Sequence, residues 1–390
     1  MSRYHSYLNT SIAFLKEYKG GIPFTSFLKK QFAADKKFGS KDRKQISHLC
    51  YCFFRLGKTG INLPIEQRIV TGLFLCSDKP GDMLQALNET WNENAALSIG
   101  EKLKLLPGEY SIHEIFPWKD ELSKGIENES FSRSFFIQPD LFIRIRPRYK
   151  ETVLQKLNDQ AIDFSIISEN CLSFPNATKV DEIIEVDKEA VIQDYNSQRT
   201  LEVAKTEIVK DEESVSVWDC CAASGGKSIL AKDILPEFDL IVSDVRESIL
   251  HNLKKRFAAA GIKSYKSFTV DLLKPIKQIA PASIDLLIAD VPCSGSGTWS
   301  RTPEQLYFFE EKRIQEYAGL QKKIIRNVIP SIKRGGYLLY ITCSVFRREN
   351  EEMIEFLKSQ ENLELIKMKL LKGYDKKADT LFTALLKRPL

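Results

Sequence analysis

The chain has 390 residues, of which 43% are hydrophobic and 28% charged, and its formal net charge is +5. This composition excludes intrinsically disordered and fibrous proteins, and the length predicts about two or three domains. No run approaches the roughly 18 apolar residues of a membrane helix and no signal peptide is recognisable, so we expect a cytoplasmic protein whose eight cysteines are reduced. Neither the cysteines nor the four histidines have the spacing of a metal site, and we expect no metal.

The first domain is predicted over residues 1–135 and is helical. Its first 60 residues carry 12 Lys and Arg against 3 Asp and Glu, a net charge of +9. Ser40 is placed to cap one helix, and apolar residues follow it at helical spacing: Ile46, Leu49, Cys50 and Phe53. Further helical stretches lie near 65–75 and 83–103. The positive charge favours a polyanionic partner, and a solvated charged face is the alternative.

A second, smaller α/β module is predicted over residues 136–205. In its segment LFIRIRPR, alternate side chains are apolar, and the opposite face carries an aromatic ring and three arginines: Phe142, Arg144, Arg146 and Arg148. Arginines in line with an aromatic ring suit a phosphate backbone and a stacked base, so we expect these three to bind RNA. An edge strand protected by its charges would have the same pattern.

The third domain is predicted over residues 206–390 from its alternation of strands and helices. The predicted strands are apolar runs: Val215–Trp218, Leu240–Ser243, Phe268–Val270, Leu286–Ala289 and Tyr337–Ile341. Helices are expected to begin near Lys227, Ser248, Thr302 and Asn350. This order is typical of an α/β fold with a doubly wound, Rossmann-like parallel sheet, which binds ligands at the carboxyl ends of its strands.

The segment WDCCAASGGKS, residues 218–228, joins a strand end to a glycine turn. The two glycines, Gly225 and Gly226, allow the backbone to approach a ligand before a helix begins. The end of the segment also matches a phosphate loop, so an NTPase is an alternative. At the position where that motif requires its first glycine, however, the chain has Cys221.

Two acidic residues follow the next strands. Asp244 is placed to bind the hydroxyls of a ribose, and Asp271 is placed where an adenine amine could be bound. Together with the glycine turn, these carboxylates favour S-adenosylmethionine as the ligand. A pyrophosphate dinucleotide fits less well, because the GxGxxG motif is missing.

Thiols follow two further strands. Asp290 and Cys293 lie in ADVPCSGSG, and Cys343 lies in YITCS. Attack of a thiolate on carbon-6 of cytosine makes carbon-5 nucleophilic, which explains why an enzyme that methylates carbon-5 needs a thiol. A nearby cation would favour the thiolate, and Lys227 is one candidate, although a structural role for this lysine stays open.

These motifs resemble those of the RNA (cytosine-5) methyltransferases of the Sun/Fmu type, related to the NOL/Nop/Sun enzymes. DCCAASGGK resembles the family's D-x-C-A-A-P-G-G-K, DVPCSGSG resembles D-A-P-C-S-G-T-G, and YITCS with ENEE resembles Y-S-T-C-S and E-N-E. Residues 38–55 resemble the NusB-like RNA-binding helical domain found in many members. The chain departs from the family at Ser224, where proline is usual, and at Trp299-Ser300, where Leu-Arg is more usual.

The resemblance implies that Cys343 is the nucleophile, that Cys293 assists product release, and that Asp290 contacts the target base or the cofactor. It also implies an S-adenosylmethionine site formed by Cys221, Ala222, Ala223, Ser224, Gly225, Gly226, Lys227, Asp244, Asp271 and Asp290. We therefore predict a monomeric RNA cytosine-5 methyltransferase that acts on ribosomal RNA. Transfer RNA is the rival substrate, and a non-catalytic RNA-binding assembly factor is the alternative from another class.

Overall fold

The computed structural model of the chain describes residues 2–35, 37–108, 110–208, 215–235 and 237–390. Residues 209–214, just inside the predicted start of the third domain, lie outside the described residues. The chain divides into two compact units. A helical unit consists of residues 1–122, 126–138 and 298–311, and an α/β unit consists of residues 123–125, 139–297 and 312–390. Among the described residues, we find no helix with the length and apolar character needed to cross a membrane.

Among its described residues, the N-terminal part of the helical unit contains nine α-helices. They are α1 (Arg3–Glu17), α2 (Phe24–Ala34), α3 (Ser40–Arg55), α4 (Ile65–Cys76), α5 (Asp82–Leu87), α6 (Glu89–Glu93), α7 (Ile99–Lys104), α8 (Ile112–Ile115) and α9 (Asn128–Ser134). The predicted apolar face of α3 is confirmed, since Ile46, Leu49 and Cys50 are fully buried. Ser40 is the first helical residue rather than a side-chain cap, and the Asp42 carboxylate accepts a hydrogen bond from the backbone N of Gly39.

The α/β unit begins with a four-stranded antiparallel sheet. Its elements are β1 (Leu141–Ile145), α10 (Lys150–Asp159), β2 (Ser165–Ser168), β3 (Cys171–Phe174), β4 (Ala190–Ile192) and the following α11 (Glu202–Ile208). The strand order is β2-β3-β1-β4. One face packs against α10, where Ile143 and Ile145 meet Val153 and Leu157 in a buried cluster. Phe142 and Arg144, which alternate with these residues, are buried as well, so neither face of β1 is open to solvent.

A seven-stranded sheet forms the rest of the α/β unit. The elements from residue 215 onward are β5 (Val215–Asp219), α12 (Gly226–Ile234), β6 (Phe238–Asp244), α13 (Glu247–Ala259), β7 (Lys266–Thr269), β8 (Ile284–Asp290), α14 (Pro303–Phe308), α15 (Lys312–Val328), β9 (Ile332–Thr342), α16 (Glu351–Gln360), β10 (Glu364–Leu371) and β11 (Leu381–Lys387). Of these, α14 belongs to the helical unit. The order is β10-β11-β9-β8-β5-β6-β7, and the five strands from β9 to β7 are parallel. The predicted doubly wound, Rossmann-like sheet and its five strands are therefore confirmed. The antiparallel strands β10 and β11 were not predicted.

The order of the strands fixes the position of a ligand site. From β5 the chain continues outward through β6 and β7, and then returns to place β8 on the other side of β5. The connections after β5 and β8 consequently diverge and leave a crevice at the carboxyl ends of these two strands. Buried apolar side chains cover both faces of the sheet, with Leu286 and Ile288 on one face and Trp218 and Leu287 on the other. The core thus holds the strand ends rigidly around the crevice.

One segment departs from the predicted domain boundaries. Residues 298–311, which include α14, belong to the helical unit although they lie between β8 and α15 in sequence. Trp299 is 1% exposed and its ring packs against the rings of Trp118 and Phe309. Arg55 of α3 is also buried and donates hydrogen bonds to the carbonyl oxygens of Phe135 and Ser300. The buried Trp299 ring therefore packs residues 298–311 against the rest of the helical unit. The sequence pattern did not predict this burial.

Candidate active site

A cavity of about 530 Å³ opens at the carboxyl ends of the parallel strands of the α/β unit. The predicted site residues that line it are Cys221, Ala223, Asp244, Asp271, Asp290, Cys293 and Cys343. The fold therefore brings together side chains from five segments of the chain that end or follow β5, β6, β7, β8 and β9. The other predicted cofactor residues, Ala222, Ser224, Gly225, Gly226 and Lys227, form the turn after β5 and the start of α12.

Hydrogen bonds and a glycine hold this turn in shape. Gly225 has a φ of 84°, and a Cβ atom there would lie 2.6 Å from Cε1 of Phe257, so only glycine fits. The backbone N of Ala223 donates to Oδ2 of Asp244 at 3.1 Å. Nη1 of Arg256 donates to both the hydroxyl and the carbonyl oxygen of Ser224, at 2.9 and 3.1 Å. The loop is thus anchored by an arginine at the position where the resembling family has proline.

Two thiols face each other at the ends of β8 and β9. Sγ of Cys293 lies 3.2 Å from Sγ of Cys343, and both cysteines are free and partly buried. The hydrogen bond with Cys343, together with burial, raises the pKa of the Cys293 thiol well above its ordinary value. The raised pKa favours the protonated form of Cys293.

A largely buried lysine interacts electrostatically with one of the thiols. Nζ of Lys227 is 3.1 Å from Oδ2 of Asp290 and donates to the hydroxyl of Ser197 at 2.8 Å. Burial lowers the pKa of Lys227, but the charge and the hydrogen bond of Asp290 outweigh this effect and raise it overall. Lys227 thus carries a positive charge within electrostatic range of Cys343.

The arginines of β1 occupy a different environment from the one predicted. Nη1 of Arg144 is 2.5 Å from Oδ2 of Asp233, and Nη2 of Arg146 is 2.8 Å from Oδ1 of the same carboxylate. The Arg144 side chain is 7% exposed, and Arg146 also donates to the carbonyl oxygen of Ala260. These two arginines hold the small sheet against α12 and α13, and the prediction that they bind RNA is corrected. Arg148 is exposed, and its role stays a prediction.

Comparison with known proteins shows which family the catalytic-site domain resembles. Residues 206–384 match the family model described as 16S rRNA methyltransferase RsmB/F. This domain belongs to the RsmB/F methyltransferase family. Ribosomal RNA small subunit methyltransferase B of Salmonella paratyphi A is 33% identical over 142 residues, which make up 36% of this chain and 32% of the relative. The protein of the same name from Salmonella enteritidis PT4 matches to the same extent. The match thus spans about a third of the length of these curated relatives.

Three solved structures share the fold of this chain. PH0851 superimposes with a TM-score of 0.67 at 20% identity, over 97% of both chains. NSun6 from Pyrococcus horikoshii, solved with SFG, gives 0.58 at 16% identity over 70% of this chain and 97% of its own. A methyltransferase homolog protein from Pyrococcus horikoshii gives 0.57 at 17% identity over 74% and 98%. At these identities the likeness establishes the fold, and it agrees with the methyltransferase sheet predicted from sequence.

The residues around the cavity suit S-adenosylmethionine as the cofactor. Asp244 and Asp271 supply carboxylate oxygens of the kind that accept hydrogen bonds from ribose hydroxyls and an adenine amine. The apolar side chains of Val245 and Leu273 also border the cavity, although 61% and 49% of their surface is exposed. Apolar side chains that are left exposed at a cavity wall suit the faces of an adenine ring.

Two groups near the RsmB/F site were not predicted as site residues. Asp219, at the end of β5, is fully buried, and burial raises its pKa to about 7. Glu349 is also fully buried, in the segment between β9 and α16. The sequence signal for both was available, since Asp219 ends a predicted strand and Glu349 opens the ENEE segment. Their burial was not predictable, because it depends on the packing of segments distant in sequence.

Proposed function

We propose that this chain methylates carbon-5 of a cytosine in ribosomal RNA through a covalent adduct with Cys343. The single observation that carries the proposal is the pair of sulfur atoms 3.2 Å apart at the wall of the cofactor cavity. Methylation of an amine or a hydroxyl requires no thiol, whereas carbon-5 of cytosine must first be activated by addition of a nucleophile to carbon-6. A thiol pair beside a methyl-donor site therefore favours carbon-5 chemistry.

Cys343 is the nucleophile in this proposal. Its sulfur forms a bond to carbon-6, and the electron pair of the ring double bond shifts to carbon-5, which takes up the methyl group. S-adenosylmethionine, when bound, supplies that methyl group from a positively charged sulfur. Lys227 holds a positive charge near Cys343 and so favours the thiolate, while Asp290 keeps this lysine in place.

Cys293 assists the release of the product. After methylation, a water molecule takes the carbon-5 proton. The electron pair of that C–H bond re-forms the ring double bond, and the Cys343 sulfur leaves carbon-6 as a thiolate. The Cys293 sulfur lies 3.2 Å from the sulfur of Cys343. In this proposal the Cys293 thiol donates a hydrogen bond to that sulfur and thereby stabilises the thiolate as it departs. The cytosine must be unpaired or flipped out of a helix to reach the two thiols.

We propose further that the helical unit, as a NusB-like domain, binds RNA. Five basic side chains of α2 and α3 are exposed: Lys29, Lys30, Lys41, Arg43 and Lys44. Exposed basic side chains of this kind bind phosphates without reading the base sequence. Arg55, from the same basic region, does not contribute to such a surface because it is buried.

The test is methyl transfer by the whole chain to ribosomal and transfer RNA. The purified protein is incubated with S-adenosylmethionine carrying a labelled methyl group and with each RNA, and the RNA is digested to nucleosides for mass spectrometry. We expect labelled 5-methylcytosine in ribosomal RNA, and none from Cys343→Ala. Cys76→Ala, a thiol change in the helical unit, is the matched control that retains activity.

Other outcomes would reject defined parts of the proposal. Label in transfer RNA alone would reject the ribosomal substrate and leave the chemistry intact. Undiminished transfer by Cys343→Ala would reject the nucleophile. RNA binding without S-adenosylmethionine binding, measured by calorimetry, would favour the non-catalytic assembly factor instead.

A further inference from the structure

A buried carboxylate lies behind both thiols. The Glu349 side chain is inaccessible to solvent, and it accepts three hydrogen bonds. Oε2 accepts from the backbone N of Ser294 and from Nε2 of Gln321, both at 2.9 Å, and Oε1 accepts from the hydroxyl of Ser344 at 2.6 Å. Burial raises the pKa of this carboxyl, while its hydrogen bonds with Ser294, Ser344 and Gln321 act in the opposite direction and favour the ionised form.

The hydrogen-bond partners of Glu349 lie in the two loops that carry the thiols. Ser294 directly follows Cys293, and Ser344 directly follows Cys343. Gln321 also donates to the carbonyl oxygen of Pro292 at 3.1 Å, so the residues on both sides of Cys293 are tied to the same network. One side chain thus spans the two loops that carry the thiols, which lie 50 residues apart in the chain.

The charge of Glu349 has no cationic partner within reach. Among the described residues, no Lys, Arg or His forms an ion pair with this carboxylate. A buried, unpaired negative charge is costly and is retained in proteins mainly where it serves a purpose. Its field acts on its surroundings, and it contributes to the raised pKa of Cys293.

The groups that face the two thiols differ in charge. Glu349 and the hydroxyl of Tyr340, a residue of β9, lie on the side of Cys293. Lys227 of α12 lies on the side of Cys343, where it is paired with Asp290 at the end of β8. A negative charge behind one thiol and a positive charge near the other leave the proton on the first and favour the thiolate of the second.

We propose that Glu349 is the positioning residue of the thiol pair, which holds the two cysteine loops together and directs the proton of the pair to Cys293. The proposal rests on the function proposed above, because it explains how one of two adjacent thiols becomes the nucleophile. Glu349 touches neither substrate nor cofactor and acts only through the cysteines.

Substitutions separate the charge of Glu349 from its hydrogen bonds. In Glu349→Gln, the amide oxygen can accept from Ser294 and Gln321, and the amide nitrogen can donate to Ser344, so the contacts persist without the charge. Glu349→Asp keeps the charge, but its shorter side chain does not reach both loops. Glu352→Gln is the matched control, since it makes the same chemical change at an exposed residue nearby.

The experiment measures thiol reactivity and requires neither RNA nor methyl transfer. The full chain is treated with iodoacetamide at a series of pH values, and alkylation of Cys293 and Cys343 is followed by peptide mass spectrometry. In the unmodified chain and in Glu352→Gln, we expect Cys343 to react and Cys293 to be protected at neutral pH. In Glu349→Gln, the pH at which alkylation of Cys293 is half-maximal should fall by about one unit. Labelling of Cys293 at neutral pH should then be roughly tenfold faster.

Glu349→Asp provides a second test, which remains informative even if Glu349→Gln does not fold. Glu349→Asp should retain the high Cys293 midpoint, because the charge remains. A Cys293 profile in Glu349→Gln that superimposes on that of Glu352→Gln would overturn the proposal, as would a lowered midpoint in Glu349→Asp. Because alkylation is read directly at each thiol, this failure is distinct from an absence of methyl transfer, which would overturn the proposed function instead.

Discussion

The sulfur atoms of Cys293 and Cys343 lie 3.2 Å apart, although 50 residues separate the two cysteines in the chain. The contact arises because β8 and β9 are adjacent parallel strands, so the loops that follow them leave the same edge of the sheet. The contact with Cys343 and burial raise the pKa of Cys293, and the charge of Lys227 interacts with Cys343. The division of labour proposed for the two thiols rests on this difference in their surroundings.

Substitution of each thiol should produce a different phenotype. Cys343→Ala should form no covalent RNA adduct, because no sulfur attacks carbon-6. Cys293→Ala should accumulate an adduct, because attack proceeds while release is slowed by about 100-fold, a typical contribution of a positioned proton donor or acceptor. A denaturing gel of protein incubated with RNA and S-adenosylmethionine measures the adduct, with Cys76→Ala as the control. Equal adduct levels in the two cysteine variants would contradict the assignment.

Arg256 should control the affinity for S-adenosylmethionine without contacting it. Its guanidinium joins Ser224 of the glycine turn to Asp187 of the small sheet, with an ion pair of 2.7 Å. Arg256→Ala should release the turn and raise the dissociation constant about tenfold, equivalent to roughly 1.4 kcal/mol. Isothermal calorimetry measures the effect, and Lys255→Ala, an exposed neighbour on α13, is the control.

The same calorimetric measurement in a chain that carries Ser224→Pro tests whether Arg256 acts through the glycine turn. A proline ring would restrict the turn by itself, so Arg256→Ala should cost less affinity in a chain that also carries Ser224→Pro. Equal losses with and without the proline would show that Arg256 does not act through the turn.

Asp219 should make stability depend on pH. Its folded pKa of about 7 lies above that of an unfolded aspartate, so between pH 4 and 7 the folded state holds a proton that the unfolded state has lost. This group therefore lowers the free energy of unfolding as the pH rises through that window. Asp219→Asn removes the effect, and its advantage over the unmodified chain should grow from pH 5 to 8, by up to about 3 kcal/mol.

Urea unfolding at several pH values measures this advantage. Asp239→Asn, at an exposed position of β6, should show no such trend. A constant difference between Asp219→Asn and the unmodified chain across the range would show that Asp219 is ionised in the folded protein at every pH tested.

The arginines of the small sheet should differ in what they stabilise. Arg144→Ala leaves the buried Asp233 with one partner fewer and should lower the free energy of unfolding by about 3 kcal/mol. Arg148→Ala, at an exposed position, should change stability by less than about 0.5 kcal/mol. If Arg148 binds a phosphate, its loss should weaken RNA binding and reduce the slope of log affinity against log salt by about 1. Filter binding at several salt concentrations and urea unfolding measure the two effects, and equal destabilisation by both variants would contradict the distinction.

The sequence by itself determined the parallel sheet, the glycine turn and the residues that line the cavity. Each of these depends on a local pattern: apolar runs predict buried strands, Gly225 permits a backbone conformation that other residues rarely adopt, and polar residues that follow strands collect at one edge of a parallel sheet. The four helix starts named in the third domain also lie within one residue of the observed ones.

Only the tertiary structure decided which charged side chains are buried and with what partner. Arg144 and Arg146 have the alternation of a basic outer face, yet both bind Asp233, which lies almost 90 residues further along the chain. Glu349 and Trp299 have equally ordinary sequence surroundings, and their roles depend on loops and helices that meet only after folding. Pairing and burial are properties of segments brought together in space, and a periodic pattern within one segment contains no information about the segment that will cover it.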